Sequence, residues 1–227
     1  MSEDAAALTV VTVEPLFVAE QMRVVLEDLG ADAVKLGMLG SRETALRVAQ
    51  VLEAQPRQLP VVIDPVMVSS HGERLLAQDA IDVLVARLMP RAALLTPNLA
   101  EASALTGVEL HTVDDMRHAA ELLLLRGAEA VLLTGGHLHS ETVVDVLRTA
   151  DGLEVLYEDA RIETTSTHGT GCTLASAIAV GLGEGLTLDG AIVEARAYLR
   201  EALRTAPGLG QGLGPLNHAH PLWQRSP

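Results

Sequence analysis

Short apolar runs alternate along this chain with longer stretches in which apolar positions recur every three or four residues. That alternation predicts an α/β protein built on a mostly parallel sheet flanked by helices. Six runs read as strands: LTVVTV (8–13), AVKLG (33–37), PVVID (60–64), AALLT (92–96), AVLLT (130–134) and TVVDVL (142–147). Between them, PLFVAEQMRVVLEDLG (15–30) sets Val18, Met22, Val25, Leu26 and Leu29 on one stripe and stops at Gly30, a C-terminal cap. Comparable spacing predicts helices near 41–54, 77–87, 98–105, 113–126, 172–182 and 187–204. Residues 207–227 are rich in glycine and proline and are expected to run over the surface. With 227 residues and 48% hydrophobic content, the chain can bury one large core, so residues 1–227 are read as a single domain.

In open α/β sheets ligands sit beyond the C-terminal ends of the strands, which directs attention to the residues just after each run. DPVMVSS, TPNLAEAS and GGHLH follow three of them, and THGTGC precedes the run at 172. Gly169, Thr170 and Gly171 can turn successive N–H groups inward, and a helix starting near Cys172 adds its positive dipole end, so the turn suits an anion. It could hold a phosphoryl group in transfer. The same dipole would lower the thiol pKa of Cys172. A glycine-rich turn followed by a core cysteine is the competing interpretation.

Asn98 and Glu101 share one face of a starting helix, where an amide and a carboxylate could order Mg²⁺ and its waters. Asn at an N-cap with Glu three residues on is also a capping box, which would account for both. Asp64 closes the run VVI ahead of Pro65 and is either a magnesium group or a turn former. Gly135 and Gly136 permit close approach of a nucleotide or form a simple turn. His168, beside the glycine turn, either contacts phosphate or caps. The pairs His137/His139 and His218/His220 have H-x-H spacing but no third ligand cluster, which argues against zinc. No P-loop motif and no G-x-G-x-x-G opening a βα unit is present.

Charge narrows the classes further. Thirty acidic residues against 16 basic ones leave a net charge of −14, which disfavours nucleic acid and anionic lipid as partners. No run reaches the roughly 18 apolar residues of a membrane span, and MSEDAAALTVV lacks the basic start of a signal peptide, so a cytoplasmic protein is expected. The single cysteine excludes an internal disulfide.

Taken in order, GADAVKLGMLGS (30–41), VVIDPVMVSSHGERLL (61–76), LLTPNLAEASALTG (94–107), AVLLTGGHL (130–138), RIETTSTHGTGCTLASAIAVGL (161–182) and GLGPLNHAH (212–220) closely resemble the hydroxymethylpyrimidine/phosphomethylpyrimidine kinases of thiamine biosynthesis. The resemblance covers nearly the whole chain. It implies a three-layer ribokinase-like fold and phosphoryl transfer from ATP, with Mg²⁺, to a small aminopyrimidine alcohol and then to its monophosphate. It implies Cys172 as catalytic base, Gly169, Thr170 and Gly171 in the anion hole, and Asp64, Asn98 and Glu101 at the metal. Gly37, Met38 and Val66 would meet the pyrimidine, and Thr134, Gly135, Gly136 and His168 the nucleotide. A homodimer is also implied.

The chain departs from the family pattern twice. Members usually open with a strand, a G-S-D-S-G-G-G-A-G loop and a T-A-Q-N segment, and this chain has neither, so it is expected to be N-terminally shortened. Exposed sheet edges and an apolar face would follow, with weakened substrate binding or a truncated start. Thr134 also stands where the family commonly has lysine, which predicts weaker ATP binding. Two alternatives accompany this reading: a pyridoxal kinase of the same fold, and a non-catalytic nucleotide-binding descendant.

Overall fold

The computed structural model describes residues 11–67, 75–138 and 140–223. Residues 68–74 of the stretch after Asp64, His139, and residues 8–10 of the first expected strand lie outside it. Among the described residues six strands form one sheet in chain order: β1 (Val34–Leu36), β2 (Val61–Ile63), β3 (Leu94–Leu95), β4 (Ala130–Leu133), β5 (Thr142–Thr149) and β6 (Glu154–Ala160). β1 to β4 pair in parallel, and β5 and β6 turn back antiparallel.

Because successive side chains of a strand point to opposite faces, each short apolar run serves two cores. Val61, Ile63, Leu95, Val131 and Leu133 face one cluster, which α2 (Arg42–Glu53), α3 (Gln78–Val83), α4 (Leu99–Thr106) and α5 (Val113–Leu124) complete. Val62, Leu94, Ala130 and Leu132 face the other, beneath α6 (Thr170–Gly183) and α7 (Leu188–Arg204). Small residues on those two helices, among them Ala175, Ala179, Ala191 and Ala195, let them lie close to the sheet. The result is the expected three-layer α/β architecture, with the parallel strands ending along one edge.

Four local expectations are corrected. Val11, Thr12 and Val13 form no strand; Val11 is 84% exposed, and among the described residues no strand pairs with it. α1 (Pro15–Asp28) ends as expected, with Gly30 at φ +78° donating its N–H to Val25 O at 3.0 Å, yet none of its residues is buried. Val18 and Met22 rest on the core while Leu29 stays 79% exposed, so only part of the apolar stripe finds a partner. The helix expected over 77–87 widens after α3 into a π turn (Leu84–Leu88) and then tightens into a 3₁₀ turn (Met89–Arg91), where Pro90 lacks the N–H that a continuing helix needs. Finally, part of the C-terminal tail docks: Leu216 and Asn217 are buried, and Asn217 N–H donates to Ala202 O at 3.0 Å.

Strand β6 has no counterpart among the expected runs. Its Glu, Asp and Tyr positions interrupt the apolar pattern because it is an edge strand with one side toward solvent.

Candidate active site

Parallel pairing brings the ends of β1 to β4 level, so Gly37, Asp64, Thr96 and Thr134 follow them along one edge. Asp64 N–H donates to Leu36 O at 3.0 Å, which carries the β1–β2 ladder one residue past the strands and leaves the carboxyl at the rim. Asp64 is 4% exposed. Its Oδ2 lies 3.3 Å from Nζ of Lys35, a residue on β1 whose side chain is also largely covered. An isolated bridge between Asn98 and Thr134 and the Thr134 N–H to Pro97 O bond of 2.9 Å place the nucleotide-side turn against the start of α4.

At that start the capping box is fully formed. Glu101 N–H donates to Asn98 Oδ1 at 3.0 Å and Asn98 N–H to Glu101 Oε2 at 2.9 Å. Glu101 nevertheless does more than cap. It is buried, and burial raises its pKa to about 7, helped by the charge of Asp64 and opposed by hydrogen bonds from Asn98 and Met67. Two buried carboxyls with one lysine, paired to Asp64, leave uncompensated acid, the condition that a hard divalent cation relieves. The donor set fits magnesium: Asp64 and Glu101 offer carboxylate oxygens, while Asn98 Oδ1 already accepts one N–H.

The glycine turn closes the site from the other face of the sheet. Gly169 takes φ +84° as N-cap of α6, which favours glycine at this position. Thr173 N–H and Oγ1 both donate to Gly169 O, at 2.9 and 2.7 Å, and lock the first turn. Among the described residues no acceptor engages the N–H groups of Gly171 and Cys172, which leaves these donors open to an anion. A Cβ at Gly171 would touch nothing, so the fold itself does not demand glycine there.

Cys172 lies at the surface of this site, close enough to Asp64, Lys35 and Glu101 to feel their charges. The expected fall in thiol pKa is overturned. Partial loss of hydration first, then the charges of Asp64 and Glu101, push the thiol up, and Lys35 opposes them.

The remaining expected residues fall around this centre. Val66 is half-buried, its N–H donating to Asp64 O at 2.8 Å, and Met38 is exposed after β1. Gly37 sits against Lys35, whose Nζ would lie 2.7 Å from a Cβ there. His168 is exposed and tied through its backbone to Gly214 O, so the C-terminal tail braces the anion turn. Gly135 is glycine for a packing reason, since a Cβ would come within 2.0 Å of Val144 O, whereas Gly136 is unobstructed. Lys35 is the residue that the motifs did not reveal; its one signal is a lone lysine inside an apolar strand run.

The fold that carries this site is that of the ribokinase-like kinases. The chain superimposes on the ADP complex of Bacillus subtilis pyridoxal kinase with a TM-score of 0.85 and 34% identity, over 95% of this chain and 80% of that one. Residues 2–217 match the family described as phosphomethylpyrimidine kinase, and the chain belongs to that family. It is 43% identical over 210 residues to the hydroxymethylpyrimidine/phosphomethylpyrimidine kinase of Rhizobium meliloti, covering 91% of this chain and 78% of that protein. It is also 45% identical over 206 residues to the thiamine biosynthesis bifunctional protein ThiED of Geobacter sulfurreducens, covering 91% of this chain but 42% of that protein.

Proposed function

We propose that this chain transfers the terminal phosphoryl group of ATP to the hydroxymethyl group of 4-amino-5-hydroxymethyl-2-methylpyrimidine, and then to the resulting monophosphate, in thiamine diphosphate biosynthesis. The observation that carries this is the meeting of Cys172, at the open start of α6, with Asp64 and Lys35 at the ends of β2 and β1. The N–H groups of Gly171 and Cys172 receive the phosphoryl oxygens as charge builds on them. Cys172, as the thiolate, takes the acceptor hydroxyl's proton on its sulfur while the hydroxyl oxygen bonds to the terminal phosphorus and ADP leaves. Lys35 holds Asp64 in place and tempers the negative charge around the sulfur. Magnesium, held by Asp64 and Glu101 together with the nucleotide, would supply positive charge at the phosphates. Met38 and Val66 cover the pyrimidine ring, and Gly136 admits the nucleotide. Among the described residues no helix is long and apolar enough to cross a membrane.

A second reading, pyridoxal kinase, is favoured by the structural match to the Bacillus subtilis enzyme. ADP release with Mg·ATP, compared across hydroxymethylpyrimidine, its monophosphate and pyridoxal, separates the two. Turnover is expected with both pyrimidines. Cys172→Ala should lower kcat by about a hundredfold or more while ADP affinity is retained, because the thiol acts on the acceptor and not on the nucleotide. Turnover with pyridoxal alone would transfer the assignment, and an active Cys172→Ala variant would remove the thiol from the mechanism.

A further inference from the structure

The turn after β4 is held in place by groups that lie far from it in sequence. Gly135 N–H donates to Asp145 Oδ1 at 2.8 Å, and Asp145, on β5, is buried. The other oxygen of Asp145 pairs with Arg196, a buried arginine reaching in from α7. Arg196 also donates to Asp159 Oδ2 at 2.7 Å, so its position is fixed from β6 as well.

Farther along the same turn, Arg161 closes the grip. Its Nε donates to Ser140 O at 2.7 Å, and its two terminal nitrogens donate to Gly136 O at 2.9 Å and Leu138 O at 2.6 Å. Its own N–H donates to Glu141 O at 2.7 Å. All three guanidinium nitrogens are therefore spent on carbonyls of one turn. In a chain with 30 acidic residues, Arg161 has no carboxylate partner among the described residues. Carbonyls at a hairpin end are ordinarily left to water, so a fork of charge-assisted bonds on three of them fixes a shape that the hairpin alone would not hold. A cavity of about 610 Å³ opens against this turn, lined by Gly136, His137, Leu138, Ser140, Glu141 and Arg161. Its size suits a nucleoside.

We infer that Arg161, together with the Asp145–Arg196 pair, is a positioning element for the nucleotide: these residues preform the turn at Gly135–Leu138, Ser140 and Glu141 so that its backbone receives ATP without an ordering cost. The inference rests on the kinase reading, since it takes the ligand of this turn to be the nucleotide. Arg161 itself is occupied by carbonyls and acts through the turn.

The test uses Arg161→Met, Arg161→Lys and Asp145→Asn in the full chain, with three measurements. In amide hydrogen exchange of the free protein, Arg161→Met should speed exchange in the turn while β4 and β5 remain protected. In ADP titration, Kd should rise by about tenfold, the equivalent of one charge-assisted hydrogen bond. In kinetics, the loss should fall on KM for ATP, with KM for the pyrimidine changed by less than about twofold. Arg161→Lys, able to reach one carbonyl at a time, should fall between wild type and Met, and Asp145→Asn should reproduce the ATP-selective loss. Unchanged ADP affinity in Arg161→Met, or equal losses for ATP and pyrimidine, would overturn the positioning role. Wild-type protein that binds no ADP would instead overturn the kinase reading and the ligand named here with it, whatever the exchange of the turn.

Discussion

At the scale of single residues, the two glycines of the anion turn serve different ends. Gly169 at φ +84° is demanded by the backbone, whereas Gly171 occupies the first turn of α6 with nothing around the place of its Cβ. Alanine is favoured over glycine in a helix by about 1 kcal/mol, less at the terminus. Gly171→Ala should therefore leave stability unchanged or slightly raised, while its methyl fills space beside the open N–H groups and depresses kcat. Thermal unfolding and turnover measured on the same preparation check this. Loss of both together would show that the glycine serves the fold, and loss of neither that the phosphoryl group does not pass there. Lys35 makes the complementary point. Its sequence neighbours mark a buried strand, but only the register Lys35↔Val62, one residue short of the strand ends, and its reach to Asp64 reveal it as part of the site.

At the scale of elements, α4 carries a conflict between capping and charge. The capping box wants Glu101 at the helix start, and burial beside Asp64 drives its pKa up from an ordinary 4.5 to about 7. Below about pH 4.5 both folded and unfolded chains hold the proton, and no penalty arises. Between there and pH 7 the unfolded chain ionises first, so stability falls as pH rises; above pH 7 the cost is constant, on the order of 3 kcal/mol. Glu101→Gln retains an acceptor for Asn98 N–H and cannot ionise. Urea unfolding in EDTA should show the variant gaining on wild type by about 3 kcal/mol between pH 4.5 and pH 8, and parallel profiles would mean that Glu101 ionises normally.

The same element shows what could be read in advance. TPNLAE predicted both the cap and a ligand site, and local spacing could not choose between them because both functions place the two residues alike. β1 to β4 were legible because strands buried on both faces are continuous apolar runs. β6, polar on its open side, was not. Nor were Asp145, Arg161 and Arg196, since nothing local marks a contact made across 10 to 51 residues of chain.

At the scale of the whole molecule, a kinase for anionic substrates carries a net charge of −14. Among the described residues its site contains no cation free to meet phosphate: Lys35 is matched by Asp64, Arg161 is occupied by backbone carbonyls, and Thr134 supplies none where a lysine is common in the family. The groups that would hold phosphate are backbone N–H dipoles at contact distance, which salt screens little. The opposing field comes from carboxylates spread over the surface, mostly beyond the roughly 10 Å over which charges act at 0.1 M salt. Raising ionic strength from about 0.02 to about 0.2 M with an inert salt should therefore lower KM for Mg·ATP by roughly twofold. KM for the pyrimidine monophosphate should fall as well, while that for the uncharged hydroxymethylpyrimidine stays level. This difference between two acceptors of the same pocket separates the field of the molecule from any effect of salt on folding, which would move both. A KM for Mg·ATP that rises with salt would instead mean that an unmatched cation reaches the phosphates, and that local attraction outweighs the charge of the whole chain.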